Sequence, residues 1–365
     1  MKTKTLYFLL VGILCISLIG CSTASQKDYK IDKENKNMSE SELEKSGFID
    51  VKLDENLYIS AELNMPEINL YEYETELKTF NYDTVQEVLW PDADKSEIST
   101  DEFGSRYCKE ASFGGEQGSL IYRRNDAANY LDTLCNYAYD NNLMEDKELT
   151  FMSKEEAIDK LQKMIAQLDI GGDLGTPDIV AMNAKDLKKL QNIIMNDEDY
   201  SYILFEKNLG DNDFKSDTEL YYLNYSIEVN GVSVYGRDEP VLQQTTDMII
   251  AQQMGMTAIV SNNGIEVLAI YGALAPLDKR NEKVKIMGEE GIKAAINKKF
   301  GDVILTDEYK ATNIWMEYFP LLEEGSFTKV NLIPVWCVDF EVNGEMEKDN
   351  IYTLRLHAVT GDEIS

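Results

Sequence analysis

The sequence predicts an α+β protein in which a helix packed on a curved antiparallel sheet occurs twice, after a β-rich N-terminal region. Three observations predict this. A helical-period run opens at residue 151 behind a capping signal. A second amphipathic run opens near residue 288. Each is followed by apolar strands joined by short turns.

The elements follow in chain order. In "FIDVKLDENLYISAELNMP" (48–66), Leu57, Ile59, Ala61 and Leu63 alternate onto one face of a strand. "YEYETELKTF" (71–80) alternates through Tyr71, Tyr73, Thr75 and Leu77. "DTVQEVLW" (83–90) reads as a short helix stopped by Pro91. "EASFGGEQGSLIYRR" (110–124) reads as two strands around a glycine-rich turn, and "AANYLDTLCNYAYDN" (127–141) as a helix. These make up the N-terminal region, 48–150.

The first α+β unit spans 151–278. Ser153 and Glu156 form a capping box, and Ala157, Ile158, Leu161, Met164, Ile165 and Leu168 recur at helical spacing before Gly171 and Gly172. A second helix, "AKDLKKLQNIIMN", precedes strands at "DYSYILFEKNL", "ELYYLNYSIEVNG" and "VSVYGRD". A helix is expected around 240–253, then two apolar strands joined by a hairpin turn at Asn262–Asn263–Gly264.

The second unit spans 279–365. Ile292, Ala295, Ile296 and Phe300 share one side of a helix at 288–302, and strands follow near "NIWMEYFPLL", "KVNLIPVWCVDFEVNG" and "NIYTLRLHAV". In the middle strand Leu332, Pro334, Trp336, Val338, Phe340 and Val342 share the core face, and Ile333, Val335, Cys337, Asp339 and Glu341 share the other. A proline has no N–H to give to a ladder, so Pro334 is expected at an edge or a bulge. Trp336 is expected to anchor the helix.

Charge narrows the function. The chain has 365 residues, 66 acidic and 35 basic, for a formal net charge of −31. That excludes a general nucleic-acid binder and implies repulsion from an anionic membrane. A membrane location therefore needs a covalent anchor. "MKTKTLYFLLVGILCISLIGC" has Lys2 and Lys4, an apolar run from Leu6 to Ile19, and ends in "LIGC" (18–21). This resembles a bacterial lipoprotein signal. The resemblance implies removal of residues 1–20 as a signal peptide and diacylglycerol on the thiol of Cys21. The alternatives are an ordinary signal peptide or a short membrane anchor. Two acyl chains anchor durably where one does not. Residues 21–47 read as a flexible polar tether. The expected location is the extracytoplasmic face of the cell membrane.

Beyond Cys15 in the signal and Cys21, three cysteines remain. Cys108 and Cys135 can pair outside the cell, and three buried thiols, Cys337 included, are an equal reading.

The helix "EEGIKAAINKKF", the strand ending "EYFPL", then "LIPVW" and a strand ending "LHAVTGDEI" resemble the PepSY-like repeat, in particular the extracytoplasmic YycH/YycI regulators. His357 and Asp362 depart from that pattern, where Asn and Glu are usual. The unit at 151–278 matches more weakly. Those regulators bind protein partners, in known cases a sensor histidine kinase, and are anchored by a transmembrane helix. The resemblance implies a non-catalytic binding or regulatory module with a protein partner, such as a membrane sensor or protease, and no cofactor. The chain's 21 tyrosines suit an interface, if exposed.

Enzymatic readings find few residues. The one histidine, His357, falls with Thr353 and Arg355 on the polar face of its strand and is expected to face solvent. A His-based triad would need it. Neither HExxH nor CxxC occurs. "GVSVYG" (231–236) nearly imitates a nucleophile elbow, with its second glycine one place late. Glu289–Glu290 suit a helix start and Glu323–Glu324 a turn. "GDNDFKSDTELY" (210–221) reads as an acidic hairpin loop, not a calcium loop. The alternatives carried forward are a carboxylate-dependent cell-envelope hydrolase and a solute-binding lipoprotein.

Overall fold

A computed structural model describes residues 47–66, 68–91, 98–100, 105–107, 112–114, 118–124, 126–143, 147–197, 214–235, 254–279, 283–301, 303–323, 325–326, 328–344 and 351–364. The elements, in chain order, are β1 (Gly47–Asp54), β2 (Leu57–Leu63), β3 (Tyr73–Glu76), α1 (Tyr82–Leu89), β4 (Ser99–Thr100), β5 (Arg106–Tyr107), β6 (Ser112–Gly114), β7 (Leu120–Arg123), α2 (Asp126–Asp140), α3 (Lys154–Ile165), β8 (Asp173–Leu174), β9 (Asp178–Asn183), α4 (Ala184–Met195), β10 (Glu219–Tyr225), β11 (Ile227–Val229), β12 (Val232–Ser233), β13 (Gly255–Ser261), β14 (Gly264–Tyr271), β15 (Asp278–Lys279), α5 (Glu289–Phe300), β16 (Tyr309–Leu322), β17 (Lys329–Val342) and β18 (Ile351–His357). The mixed α/β class expected from the sequence is the class observed. The strand expected at 199–209 and the helix at 240–253 lie outside the described residues.

An eight-stranded sheet runs β4-β5-β6-β7-β14-β13-β10-β9, antiparallel at every pairing. It carries helices on both faces. Val85 and Leu89 of α1 and Ala157, Leu161 and Ile165 of α3 pack with Tyr221, Leu223, Met256 and Ala258 on one side. Leu134 and Cys135 of α2 and Leu187, Leu190 and Ile194 of α4 pack with Leu220, Tyr222 and Ile259 on the other. The central strands are therefore buried on both faces, which explains their unbroken apolar runs. α3 starts as expected: Ser153 accepts from Glu156 N, and the Glu156 side chain accepts from Ser153 N. At the β13–β14 hairpin neither Asn262 nor Asn263 has positive φ; Gly264 takes φ +111° instead, so the turn is not of the type I′ kind usual for two-residue loops.

A seven-stranded sheet runs β1-β2-β16-β17-β3-β15, with β18 also on β17. It is not wholly antiparallel: β2 lies parallel to β16, Tyr309 opposite Leu57 and Lys310 opposite Tyr58. A hairpin imposes antiparallel pairing, but β2 reaches β16 from a remote part of the chain and is free of that constraint. Residues 48–150 thus supply strands to both large sheets. On one face of this sheet Ile292, Ala295, Ile296 and Phe300 of α5 pack with Leu57, Ile59, Ile314, Trp336, Val338 and Leu356. A small three-stranded sheet, β12-β11-β8, completes the topology.

β17 corrects two expectations. Its second face is also core: Ile333, Val335 and Cys337 are buried with Tyr235, Phe319 and Ile364. Pro334 sits at neither an edge nor a bulge. β17 pairs with β16 along its whole length, and its other side is shared by β3, opposite 329–332, and β18, opposite 335–341. The Pro334 carbonyl accepts from Ala358 N at 2.9 Å on that second side. In an antiparallel strand the nitrogen and carbonyl of one residue point the same way. The missing donor of Pro334 therefore falls opposite Ala358, just past the end of β18, and the Ala358 carbonyl it would have met accepts from Met287 N instead.

Candidate functional site

Chemistry-bearing side chains concentrate on the β16–β17–β18 face away from α5. Trp315 pairs with Cys337, and Cys337 with Arg355; Glu317 pairs with Val335, and Val335 with His357. These cross-strand rows bring Glu317, Cys337 and Arg355 together. Glu317 Oε1 accepts from Cys337 Sγ at 2.9 Å and from Arg355 Nε at 3.4 Å. The side chains of Arg355 and Glu317 are only 2% and 5% exposed. The guanidinium lies over the rings of Tyr235 and Phe319, 5.1 and 5.6 Å from their centroids, a cation–π arrangement. A charge taken out of water in this way must be paired and hydrogen-bonded. Within the cluster the thiol donates to the same carboxylate oxygen that holds the arginine.

His357 ends β18 beside this cluster. It does not face solvent; the side chain is mostly buried, because the chain beyond it folds back. Its N–H donates to Asp362 O, its carbonyl accepts from Gly361 N, and its Nδ1 accepts from Val359 N at 3.2 Å. Nε2 lies 3.8 Å from Glu72 Oε1. Burial lowers the imidazole pKa, against the smaller opposing pull of Glu72 and Asp362. The Lys298 hydrogen bond holds the Asp362 carboxyl below its usual range. A histidine lowered on folding stays neutral in the native state while the unfolded chain takes up a proton. Its contribution is present above the unfolded pKa of about 6.5 and is lost as pH falls below it. The difference in melting temperature between wild type and His357→Gln is therefore expected to shrink between pH 7 and pH 5. A pH-independent difference would refute the assignment.

A cavity of about 230 Å³ is lined by Asp83, Gln86, Ile98, Thr100 and Arg106. Arg106 donates to Asp83 at 2.7 Å and to Gln86 at 3.1 Å. Among the described residues, the one carboxylate in its lining is thus engaged by the arginine beside it.

The remaining candidates from the sequence are placed as follows. Cys21 and Cys108 lie outside the described residues, as do Glu324 and residues 210–213. Cys135 and Cys337 are buried cysteines. Burial, reinforced by Asp132, pushes the Cys135 thiol well up, so it is unreactive. Glu289 and Glu290 open α5 as expected, and both pair with Lys293, at 2.9 and 2.5 Å. Ser233 lies in β12, and residues 236–253 beyond it lie outside the described residues. Among the described residues the tyrosines do not form an exposed patch. Tyr73, Tyr122, Tyr130, Tyr221, Tyr222 and Tyr318, among others, are core residues. Burial is tolerated where the hydroxyl finds a partner: Tyr221 Oη donates to Met152 O and accepts from Leu149 N, and Tyr318 Oη donates to Tyr71 O. Sequence reasoning misses the Glu317–Arg355 pair; the acid and the base stand 38 positions apart, and only the strand register unites them. Among the described residues no group of three or more His, Cys, Asp or Glu is placed to hold a metal ion, and no helix is long and apolar enough to cross a membrane.

No family model and no curated protein matches the chain. A solved structure does. The crystal structure of an uncharacterized protein from Eubacterium rectale ATCC 33656, at 1.45 Å resolution, superposes with a TM-score of 0.55 at 16% identity, covering 88% of this chain and 94% of that one. At that identity the likeness is one of fold, and it spans nearly the full length of both chains.

Proposed function

We propose that this chain is a non-catalytic binding or regulatory module, held on the extracytoplasmic face of the cell membrane by diacylglycerol on Cys21. The observation that carries the reading is "LIGC" at the end of an apolar run opened by Lys2 and Lys4. The site geometry supports it: Glu317, Arg355, Cys337 and Arg106 direct their hydrogen bonds to one another or to neighbouring side chains. The throughout-antiparallel eight-stranded sheet speaks against a solute-binding lipoprotein, whose lobes are built on parallel sheets.

Within this reading α5 with β16, β17 and β18 is a PepSY-like unit, and α3 with β10, β13 and β14 is its diverged counterpart. In both, a helix is followed by three strands paired in sequence order, and the helix packs on one face of that meander. The counterpart differs by β8, β9 and α4, inserted before β10, by β11 and β12, inserted between β10 and β13, and by the helices on its second face. The partner is a membrane sensor or protease at the cell surface.

The anchor is tested with the full chain expressed in a bacterial host. Wild type is expected to incorporate labelled palmitate and enter the detergent phase on Triton X-114 partitioning. Cys21→Ser is expected to lose the label and shift to the aqueous phase by about tenfold or more, since each buried acyl methylene contributes about 0.8 kcal/mol. An unlabelled wild type that leaves the cell freely would overturn the proposal.

A further inference from the structure

β1 is the outermost strand of the seven-stranded sheet. Among the described residues it pairs with β2 alone, and its other edge carries no partner along Gly47–Asp54. The other edges of the large sheets differ: β15 and β4 have two residues each, β9 carries no pair of opposite charges, and β18 is met on its outer side by the chain that follows it, through His357 N to Asp362 O and Ile364 N to Arg355 O. An open edge is a template for another strand. Its side chains set what that strand can be. Ile49, Val51 and Leu53 face the core under α5. Phe48, Asp50, Lys52 and Asp54 are exposed on the opposite face, Phe48 to 63%.

We propose that β1 pairs antiparallel with β1 of a second copy of this chain, across a two-fold axis through Val51. Opposed residues must share a face, so that Ile49, Val51 and Leu53 continue the apolar layer. That leaves a few registers. Centring on Asp50 sets Asp50 against its own copy, and centring on Lys52 does the same for Lys52. Both oppose like charges, which destabilises a cross-strand pair. Centring on Val51 places Asp50 opposite Lys52 of the second copy and Lys52 opposite its Asp50. It also sets Val51 against Val51 and Ile49 against Leu53, and it gives the longest overlap of the registers that oppose unlike charges. The three central residues, Asp50 to Lys52, precede the register shift that begins after Lys52, so the strand is regular where the axis passes. An isologous two-fold contact of this kind closes on itself as a dimer. One strand pair buries less than the roughly 1,000 Å² of a stable interface, so the dimer is weak in dilute solution. Confinement of both copies to one membrane raises their effective concentration; this last step rests on the lipid anchor.

The test is disulfide trapping of Val51→Cys in the full chain in cell membranes, with copper phenanthroline as oxidant. Opposed residues of an antiparallel pair lie about 4.5–5.5 Å apart between Cα atoms, within disulfide reach. A band at twice the mass on a non-reducing gel is expected. Glu62→Cys, exposed on β2, is expected to give none. Adding Asp50→Lys to Val51→Cys should cut the cross-linked fraction roughly tenfold by opposing like charges. Adding Lys52→Asp as well should restore it. The same series is run on concentrated Cys21→Ser protein, where cross-linking is expected to rise with concentration. Loss of the membrane fraction alone would count against the anchor and leave the pairing standing. Absence of the band in both preparations, or failure of the double exchange to restore it, would overturn the pairing.

Discussion

Arg355→Met is expected to cost about 3–5 kcal/mol of stability, because it leaves Glu317 charged and unpaired in the interior. Among the described residues the carboxylate would keep the Cys337 thiol alone as donor, and Tyr235 and Phe319 would lose the cation above their rings. Changing both partners, Glu317→Leu with Arg355→Met, is expected to cost far less and to approach neutrality, since apolar residues of similar volume often replace a buried pair without loss. The double-mutant cycle therefore carries a large favourable coupling. Urea denaturation monitored by tryptophan fluorescence reads all four corners of the cycle. If Arg355→Met falls within about 1 kcal/mol of wild type, the pair is not the isolated buried charge that its geometry describes. Cys337→Ala should fall between the two, as it removes one of the two hydrogen bonds and leaves the ion pair.

This cluster marks the border of what the sequence discloses. Elements set by local rules are legible. Ser153 and Glu156 announce the start of α3, and the spacing of Ile292, Ala295, Ile296 and Phe300 announces the buried side of α5. The faces of β17 are legible by alternation, but not the fact that both are covered. Cover depends on which elements arrive from elsewhere, as Tyr235 and Ile364 do. The same holds for the helices on both faces of the eight-stranded sheet, and for β2 lying parallel to β16. Pro334 shows the limit most clearly. Pro334 gives no bond to the ladder, and Met287 N, from another part of the chain, reaches the Ala358 carbonyl in its place, which no local pattern encodes. His357 fails for a related reason: alternation puts it on the polar face, and the turn at 358–362 then covers that end of the face. Cys21 is the opposite case, a proposed site that rests entirely on local sequence.

Trp336→Ala is expected to lower stability by about 3–5 kcal/mol, the range for emptying a large buried side chain. Trp336 is fully buried and packs in the cluster that joins α5 to the sheet. Its role is more specific than volume. α5 begins behind Gly288, which offers no side-chain cap. The helix entry is held instead from outside: Met287 N donates to Ala358 O at 2.7 Å, and Trp336 Nε1 donates to Met287 O at 3.1 Å. The indole thus replaces what a capping residue does elsewhere, by fixing the residue just before the helix. Trp336→Phe keeps much of the ring volume and removes the donor, so it should cost less, about 1–3 kcal/mol for the carbonyl left unpaired. The two variants should also differ in where they act. In Trp336→Phe, amide exchange at the first turn of α5 should quicken, with the centre of the sheet unchanged. In Trp336→Ala protection should fall throughout the cluster shared by α5, β16, β17 and β18. If Trp336→Phe leaves exchange at Ile292 and its neighbours untouched, the indole acts only as filling and the helix entry is held by the Met287–Ala358 bond alone.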